Sequence, residues 1–137
     1  MYYGKDGYWK KVQEYLPEEN RLTGVWRPDE YFVGIGRFGI HIDHYRVKEP
    51  KARVILFHGV GGNGRLLSLI AVPLMKQGYE VICPDLPLYG MTEYYGKVVY
   101  QDWVDCAAEI VMYYQAHLSV RPQRRGNPGI SDCIRTA

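Results

Sequence analysis

The sequence lacks the features that mark membrane-spanning, secreted and cysteine-rich metal proteins. It contains no run of 18 apolar residues and no apolar segment near its start, so neither a membrane span nor a secretory signal is predicted. Its three cysteines, Cys83, Cys106 and Cys133, are far apart and form no Cys-x-x-Cys pair, which excludes a disulfide scaffold and a cysteine zinc site. Such sparse cysteines suit a reducing compartment, and we therefore expect a cytoplasmic protein.

The sequence also lacks a strong net charge and, beyond Tyr114, any aromatic residue. A net charge of +2 is too small to predict a nucleic-acid partner. All 13 Tyr, 3 Trp and 3 Phe lie at or before Tyr114, whereas residues 121–137 carry four Arg and one Asp. This change predicts that residues 118–137 form a polar, Arg-rich tail that is either disordered or not native to the fold. A truncation or a shifted reading frame would explain the second alternative.

Residues 1–30 are predicted to form an N-terminal helix and a surface connection. Asp6 can cap an amphipathic helix over residues 6–16. The two strand-like runs at 31–35 and 40–47 follow, and a glycine-containing turn joins them. This arrangement predicts a β-hairpin.

The next part of the sequence has the pattern of a βαβ unit followed by a further helix. Residues 53–57 and 79–83 are continuous apolar runs, which are typical of buried parallel strands. The helix expected between them, over 65–77, would bury one apolar face formed by Leu66, Leu67, Ile70 and Leu74. A long helix is predicted over 99–117. The chain is therefore predicted to be an α/β protein with an antiparallel hairpin before its parallel strands.

A glycine-rich segment at 58–64 (HGVGGNG) follows the first buried strand and opens the helix. It contains a G-x-G-x-x-G pattern formed by Gly59, Gly61 and Gly64. Asp85 lies 21 residues after the last of these glycines, at the end of the next strand. This spacing is typical of a Rossmann unit, in which backbone N–H groups bind a pyrophosphate and the acid binds a ribose. A dinucleotide-binding module is therefore one interpretation, although His58 is unusual for such a site.

The same segment, together with residues 85–92 (DLPLYGMT), resembles the α/β-hydrolase family. That family has an H-G-x-G element after its third strand and a D-x-x-G-x-G-x-S element after its fourth, and both are matched here in order. Leu88 stands where Gly is common in the family, and Thr92 where Ser is common. The resemblance implies that residues 31–117 are the N-terminal portion of an α/β-hydrolase domain.

The resemblance also implies a site that acts on carboxylic esters or similar acyl substrates. The family uses the amide after the His-Gly pair in its oxyanion hole, which here is the amide of Val60, with Gly61 beside it. The residues that would structure the surrounding loops are His58, Gly59, Gly62, Asp85, Gly90 and Thr92. In this interpretation His58 orients the loop and is not the catalytic base, and no cofactor is required.

The residues that would carry out nucleophilic catalysis are missing from the sequence. Serine hydrolases of this family place the nucleophile in a G-x-S-x-G elbow, and none of Ser68, Ser119 and Ser131 lies in one. The resemblance therefore predicts a serine-hydrolase fragment without nucleophile, acid or base, and without turnover of its own. The alternatives are the dinucleotide module and a non-enzymatic interaction domain. An incomplete sheet would leave an exposed edge through which the chain could associate with itself.

A second cluster, His41-x-Asp43-His44, superficially resembles a metal site. On a strand, His41 and Asp43 share one face and His44 lies on the other, so at most two ligands converge. No metal is therefore predicted, and the favoured interpretation is a solvated strand face.

Overall fold

The computed structural model describes residues 1–117, so the predicted tail at 118–137 lies outside the described residues. Within residues 1–117, one four-stranded mixed sheet has the order β1-β2-β4-β3. Its strands are β1 (Asp29–Ile35), β2 (Phe38–Tyr45), β3 (Arg53–Ile55) and β4 (Glu80–Pro84). Its helices are α1 (Gly7–Tyr15), α2 (Ser68–Lys76) and α3 (Tyr100–His117).

The strand pairing confirms both the predicted hairpin and the predicted βαβ unit. β1 and β2 are antiparallel and are joined by a two-residue turn in which Gly36 has a φ of +55°. β4 pairs antiparallel with β2 on one side and parallel with β3 on the other. The C-terminal ends of β3 and β4 therefore lie side by side, and the loops that follow them meet at one edge of the sheet.

The helices cover the two faces of the sheet and form two apolar cores. α3 packs on the face that carries Ile40, Ile42 and Ile82, and it contributes Cys106, Ile110 and Tyr114. α2 packs on the opposite face, against Tyr45, Val81 and Cys83. No helix within residues 1–117 is both long and apolar enough to span a bilayer.

The predicted apolar face of the second helix is only partly correct, because Leu67 and Leu74 pack against the core but the other two predicted residues do not. α2 buries Ala71, Val72 and Met75, whereas Leu66 and Ile70 are each about half exposed. The cause is the start of the helix, because Gly64–Leu67 form a 3₁₀ turn and the α-helix begins only at Ser68. A 3₁₀-helix has 3.0 residues per turn, whereas an α-helix has 3.6. The initial 3₁₀ turn therefore points the apolar residues in a different direction from that expected for an α-helix that starts at residue 65.

Two further predictions are only partly correct. The strand predicted to be buried at 53–57 is shorter, since β3 ends at Ile55, and it is only half buried because it lies at the end of the sheet. The cap at Asp6 is confirmed, since its side chain accepts a hydrogen bond from the Tyr8 amide at 2.8 Å. The helix it caps has no fully buried side chain, although Trp9 and Val12 of its predicted apolar face are half buried.

The Tyr45 ring is fully buried in the core under α2, but its hydroxyl has no hydrogen-bond partner among residues 1–117. A buried hydroxyl without a partner costs about 1–3 kcal/mol. We expect Tyr45→Phe to raise the free energy of unfolding by about 1 kcal/mol in chemical denaturation.

The matched control for Tyr45→Phe is Tyr114→Phe, because the Tyr114 hydroxyl lies 2.7 Å from that of Tyr31. Its loss should lower stability by about 1 kcal/mol. A loss of stability in both variants would show that the Tyr45 hydroxyl has a partner in solution.

Candidate functional site

His58 connects the two loops that meet at the edge of the sheet. It is buried, its Nδ1 lies 2.8 Å from the Gly59 carbonyl oxygen, and its Nε2 accepts a hydrogen bond from the Leu86 amide at 2.9 Å. Because Nε2 accepts from an amide, the ring proton is on Nδ1 and is donated to Gly59. Both ring nitrogens are therefore used in holding the loop after β3 against the loop after β4.

The segment after His58 forms a tight turn that leaves two amides without partners. The Gly62 amide donates to the Gly59 carbonyl at 3.1 Å, and Gly61 has a φ of +78°, as the third residue of a type II turn requires. Nothing within residues 1–117 accepts a hydrogen bond from the Val60 or Gly61 amide. A Cβ built on Gly59 or Gly61 meets no atom within 4 Å, so the turn borders open space.

Asp85 has no exposed surface and accepts hydrogen bonds from three separate segments. Its Oδ1 accepts from the Gly64 amide at 2.5 Å. Its Oδ2 accepts from the Tyr3 hydroxyl and from the Met91 amide, both at 2.8 Å. One carboxylate thus joins the glycine-rich loop, its own loop and the N-terminal segment.

The rest of the loop after β4 is fitted closely around this carboxylate. The Thr92 hydroxyl donates to the Asp85 carbonyl at 2.5 Å and accepts from the His41 amide at 3.0 Å. Gly90 has a φ of +55°, and a Cβ there would lie 2.2 Å from both Asp85 Oδ2 and the Tyr3 hydroxyl. Only glycine fits this position.

Leu88 is the one residue other than glycine with a positive φ within residues 1–117, at +77°. This is the position at which the family pattern commonly has Gly. A left-handed backbone costs a residue with a Cβ about 1–2 kcal/mol relative to glycine. The departure from the pattern therefore retains the shape of the loop at a cost in stability.

His41 and Asp43 are completely buried, so the predicted solvated strand face is wrong. The Tyr3 and Arg65 side chains cover this face, with the Arg65 guanidinium 4.9 Å from the centre of the Tyr3 ring. Asp43 accepts two hydrogen bonds from Arg65, at 2.6 and 2.9 Å. Arg65 also lies 3.4 Å from Glu30.

The His41 ring lies between two acidic side chains. Its Nε2 is 3.0 Å from Glu30, and its Nδ1 is 3.1 Å from Asp85 in an ion contact that lacks good hydrogen-bond alignment. Burial alone would lower the pKa of His41, but the contacts with Asp85 and Glu30 outweigh it and raise the pKa to about 9. Burial would likewise raise the pKa of Glu30, but hydrogen bonds from His41 and the Gly4 amide lower it to about 2.

Glu30, His41 and Asp43 place potential metal-ligand atoms within 4.8 Å of one another. Their lone pairs are already used, however. Asp43 accepts from Arg65, and Glu30 accepts from the Tyr3 and Gly4 amides at 2.6 and 2.8 Å. Because the Arg65 cation occupies the position beside these acids, the residues present do not fit a metal ion.

Tyr3, Glu30 and Arg65 were not expected at the site from sequence. One signal was present, because a hairpin with a two-residue turn places Glu30 opposite Asp43, as the observed register does. Two acids and a histidine on one buried face need a cation, and Arg65 directly follows the glycine-rich segment. Tyr3 had no such signal, since it reaches Asp85 across 82 residues of sequence.

No family model matches the sequence, and no curated protein matches it. Solved structures do match. A thioesterase domain from the curacin biosynthetic pathway is 26% identical, with a TM-score of 0.55, over 65% of this chain and 33% of that one. The haloalkane dehalogenase DpaA from Paraglaciecola agarilytica NO2 is 15% identical, with a TM-score of 0.57, over 72% of this chain and 36% of that one. A candidate lipase from Acinetobacter baumannii AYE is 16% identical, with a TM-score of 0.55, over 78% of this chain and 33% of that one.

The chain has the α/β-hydrolase fold. It spans about a third of the length of the α/β-hydrolase structures that it matches. The dinucleotide alternative is not favoured. Asp85 is fully buried and both of its carboxylate oxygens already accept hydrogen bonds, so it cannot reach a ribose, and the Gly64 amide that would face a pyrophosphate donates to Asp85.

Gly90→Ala tests how closely the loop fits around Asp85. Gly36→Ala is the matched control, because Gly36 also has a φ of +55° but has open space where a Cβ would lie. We expect Gly36→Ala to lower the free energy of unfolding by about 1 kcal/mol, from backbone strain alone. Gly90→Ala should lower it by more than about 3 kcal/mol, because the new methyl group overlaps a buried carboxylate. Thermal and chemical denaturation measure the stability of both variants. Equal losses in Gly36→Ala and Gly90→Ala would contradict the observed fit.

The charges around His41 predict a pH dependence of stability. The folded-state pKa of His41 is raised from 6.5 to about 9. Its contribution to the free energy of unfolding is therefore complete below pH 6.5 and is lost as the pH rises through 9. The Glu30 pKa is lowered from 4.5 to about 2, so its contribution is complete above pH 4.5 and is lost as the pH falls through 2.

We therefore expect the free energy of unfolding in urea to fall by up to about 3 kcal/mol between pH 6.5 and 9. His41→Gln should be less stable than the wild type at pH 6, and it should lose most of this slope. A wild-type stability that stays level over this range would show that His41 is not held as a cation.

Proposed function

We propose that this chain provides the oxyanion-binding part of an α/β-hydrolase that acts on carboxylic esters or similar acyl substrates. The observation that carries the proposal is the pair of unpartnered amides at Val60 and Gly61. They belong to neighbouring residues of one turn, and the turn borders open space at the carboxyl ends of two parallel strands. Clefts at that end of a parallel sheet are where α/β proteins usually bind small molecules.

Two adjacent N–H groups suit an oxygen atom that gains negative charge during acyl transfer. Such donors act best when they are fixed in place before the reaction, and one of them contributes about 3–4 kcal/mol to stabilising the transition state. Here the turn is closed by the Gly62–Gly59 hydrogen bond, and His58 fixes its start against the neighbouring loop. The two donors would therefore need little reorganisation when the charge develops.

In this proposal the remaining loop residues are positioning residues, because their hydrogen bonds and close packing fix the turn and its neighbouring loop. Asp85 holds the Gly64 amide and so fixes the end of the glycine-rich segment. Gly90 and Thr92 let the loop after β4 wrap closely around Asp85. Gly59 and Gly62 supply the two ends of the turn.

The full reaction also needs a nucleophile, a general base and an acid. Ser68 is buried at the start of α2, and Ser119 and Ser131 lie outside the described residues. We propose that a full-length enzyme supplies these groups from other parts of its chain, and that this chain alone does not turn over an ester. The fold alone does not determine the reaction, since the solved structures similar to this chain include a thioesterase domain and a haloalkane dehalogenase.

The proposal can be tested without turnover, by titrating ¹⁵N-labelled protein with butylphosphonate, whose anionic oxygens resemble the charged tetrahedral intermediate. We expect the Val60 and Gly61 amide resonances to shift with a dissociation constant of about 1–10 mM. Val60→Pro removes one donor at the second position of a type II turn, where proline is favoured, so the turn should be retained. It should weaken binding at least about tenfold.

Val60→Ala is the matched control, because it shortens the side chain but keeps the amide, and it should bind like the wild type. Shifts confined to other residues, or equal binding by both variants, would refute the assignment of these donors. A fluorophosphonate probe should label no serine in any of the three proteins, and labelling would disprove the proposed lack of a nucleophile.

A further inference from the structure

Tyr3 connects the N-terminal segment to the glycine-rich loop. Its side chain is buried, and its hydroxyl donates to Asp85 Oδ2 at 2.8 Å. The other oxygen of the same carboxylate, Oδ1, accepts from the Gly64 amide at 2.5 Å. Because a carboxylate is planar and rigid, a donor that fixes Oδ2 also sets the direction of Oδ1. The Tyr3 hydroxyl therefore acts on the Gly64 amide through one shared group.

Tyr3 is itself held in place on several sides. Its amide donates to Glu30 at 2.6 Å. Its ring meets the rings of Trp9 and His41 edge to face, with centroids 5.3 and 5.0 Å apart. This is a favoured arrangement of aromatic rings. The position of the hydroxyl is therefore fixed by the surroundings of the ring, before any ligand binds.

A second contact reaches the same end of the glycine-rich loop. Arg65 directly follows Gly64 in the chain, and its guanidinium lies 4.9 Å from the centre of the Tyr3 ring. A guanidinium at this distance is attracted to the ring face. Arg65 is in turn held by two hydrogen bonds to Asp43. Tyr3 thus contacts Arg65 directly and Gly64 through Asp85.

Tyr3 differs from the other donors to Asp85 in its origin. The Gly64 and Met91 amides belong to the two loops that the carboxylate joins, so they can move together with it. His41 contacts Oδ2 at 3.1 Å, but without good hydrogen-bond alignment. Within residues 1–117, the Tyr3 hydroxyl is the one aligned hydrogen-bond donor to Asp85 from outside these loops. It therefore fixes the joined loops relative to the rest of the protein.

We propose that Tyr3 is a positioning residue for the oxyanion-binding turn. By orienting the Asp85 carboxylate, its hydroxyl holds the Gly64 amide and with it the end of the glycine-rich segment. The inference rests on the proposed function, in which the Val60 and Gly61 amides bind the oxyanion. Donors of this kind are effective because they are fixed before the charge develops. A glycine-rich backbone is free to adopt many conformations, so it needs an anchor of this kind.

Tyr3→Phe tests the proposal, because it removes the hydroxyl and retains the ring with its contacts. In a titration of the ¹⁵N-labelled chain with butylphosphonate, read from the Val60 and Gly61 amides, we expect the dissociation constant to rise about fivefold. The matched control is Tyr114→Phe, which removes a buried hydroxyl of α3 on the opposite face of the sheet. It should bind like the wild type, although both variants should unfold at lower urea concentrations. Unchanged binding in Tyr3→Phe, or equal weakening in both variants, would overturn the proposal.

Binding and positioning must also be linked in the reverse direction. If the Tyr3 contact strengthens phosphonate binding about fivefold, bound phosphonate strengthens that contact by the same factor. The Tyr3 and Gly4 amides both donate to Glu30, so their hydrogen exchange reports how firmly this segment is held. We expect both amides to exchange more slowly in saturating butylphosphonate, and Val60→Pro to show much less slowing at the same concentration. Wild-type exchange that does not respond to the phosphonate would refute the coupling.

Hydrogen exchange of the Gly64 amide separates this inference from the proposed function, because it needs no ligand. This amide should exchange about fivefold faster in Tyr3→Phe than in Tyr114→Phe. Equal rates in the two variants would disprove the positioning role, even if the phosphonate binds at Val60 and Gly61. A wild type in which butylphosphonate shifts neither of these resonances would disprove the proposed function, while faster Gly64 exchange would still support the role of Tyr3 in holding the loop. Far-UV circular dichroism verifies that each variant is folded.

Discussion

The candidate site depends on one buried carboxylate, that of Asp85. A carboxylate without solvent must have its oxygens occupied by donors, since an unpaired buried charge is strongly unfavourable. Asp85 obtains these donors from Gly64, Met91 and Tyr3, which lie in three segments distant in sequence. The need to satisfy one charge therefore brings the glycine-rich loop, the loop after β4 and the N-terminal segment to a single point.

The charges around Asp85 form one connected set rather than isolated pairs. Arg65 neutralises Asp43 through two hydrogen bonds, and His41 lies between Glu30 and Asp85. Removing one member of such a buried set leaves its partners uncompensated, which costs more than the net contribution of any single pair. The N-terminal segment belongs to this set although α1 has no fully buried side chain. Tyr3 attaches it, because its amide donates to Glu30 and its hydroxyl donates to Asp85.

The sequence allowed good prediction of local features and poor prediction of contacts between distant residues. The hairpin, the parallel pair of strands and the cap at Asp6 follow from periodicity, turns and capping, which act over a few residues. The burial of His41 was not predictable in this way, because Tyr3 and Arg65 cover it from remote positions. The same limit explains the half-buried β3, whose apolar run is typical of an inner strand but lies at the end of the described sheet.

The position of β3 explains why so many contacts converge on the glycine-rich loop. This loop leaves the least supported strand, which has a strand neighbour on one side only within residues 1–117. Its position is therefore set from the side of β4, by the Leu56–Ile82, Leu86–His58 and Gly64–Asp85 hydrogen bonds in turn. These three bonds follow the loop from its start to its end. The Val60 and Gly61 amides lie between the second and the third, so the parts of the turn without partners are held at both ends.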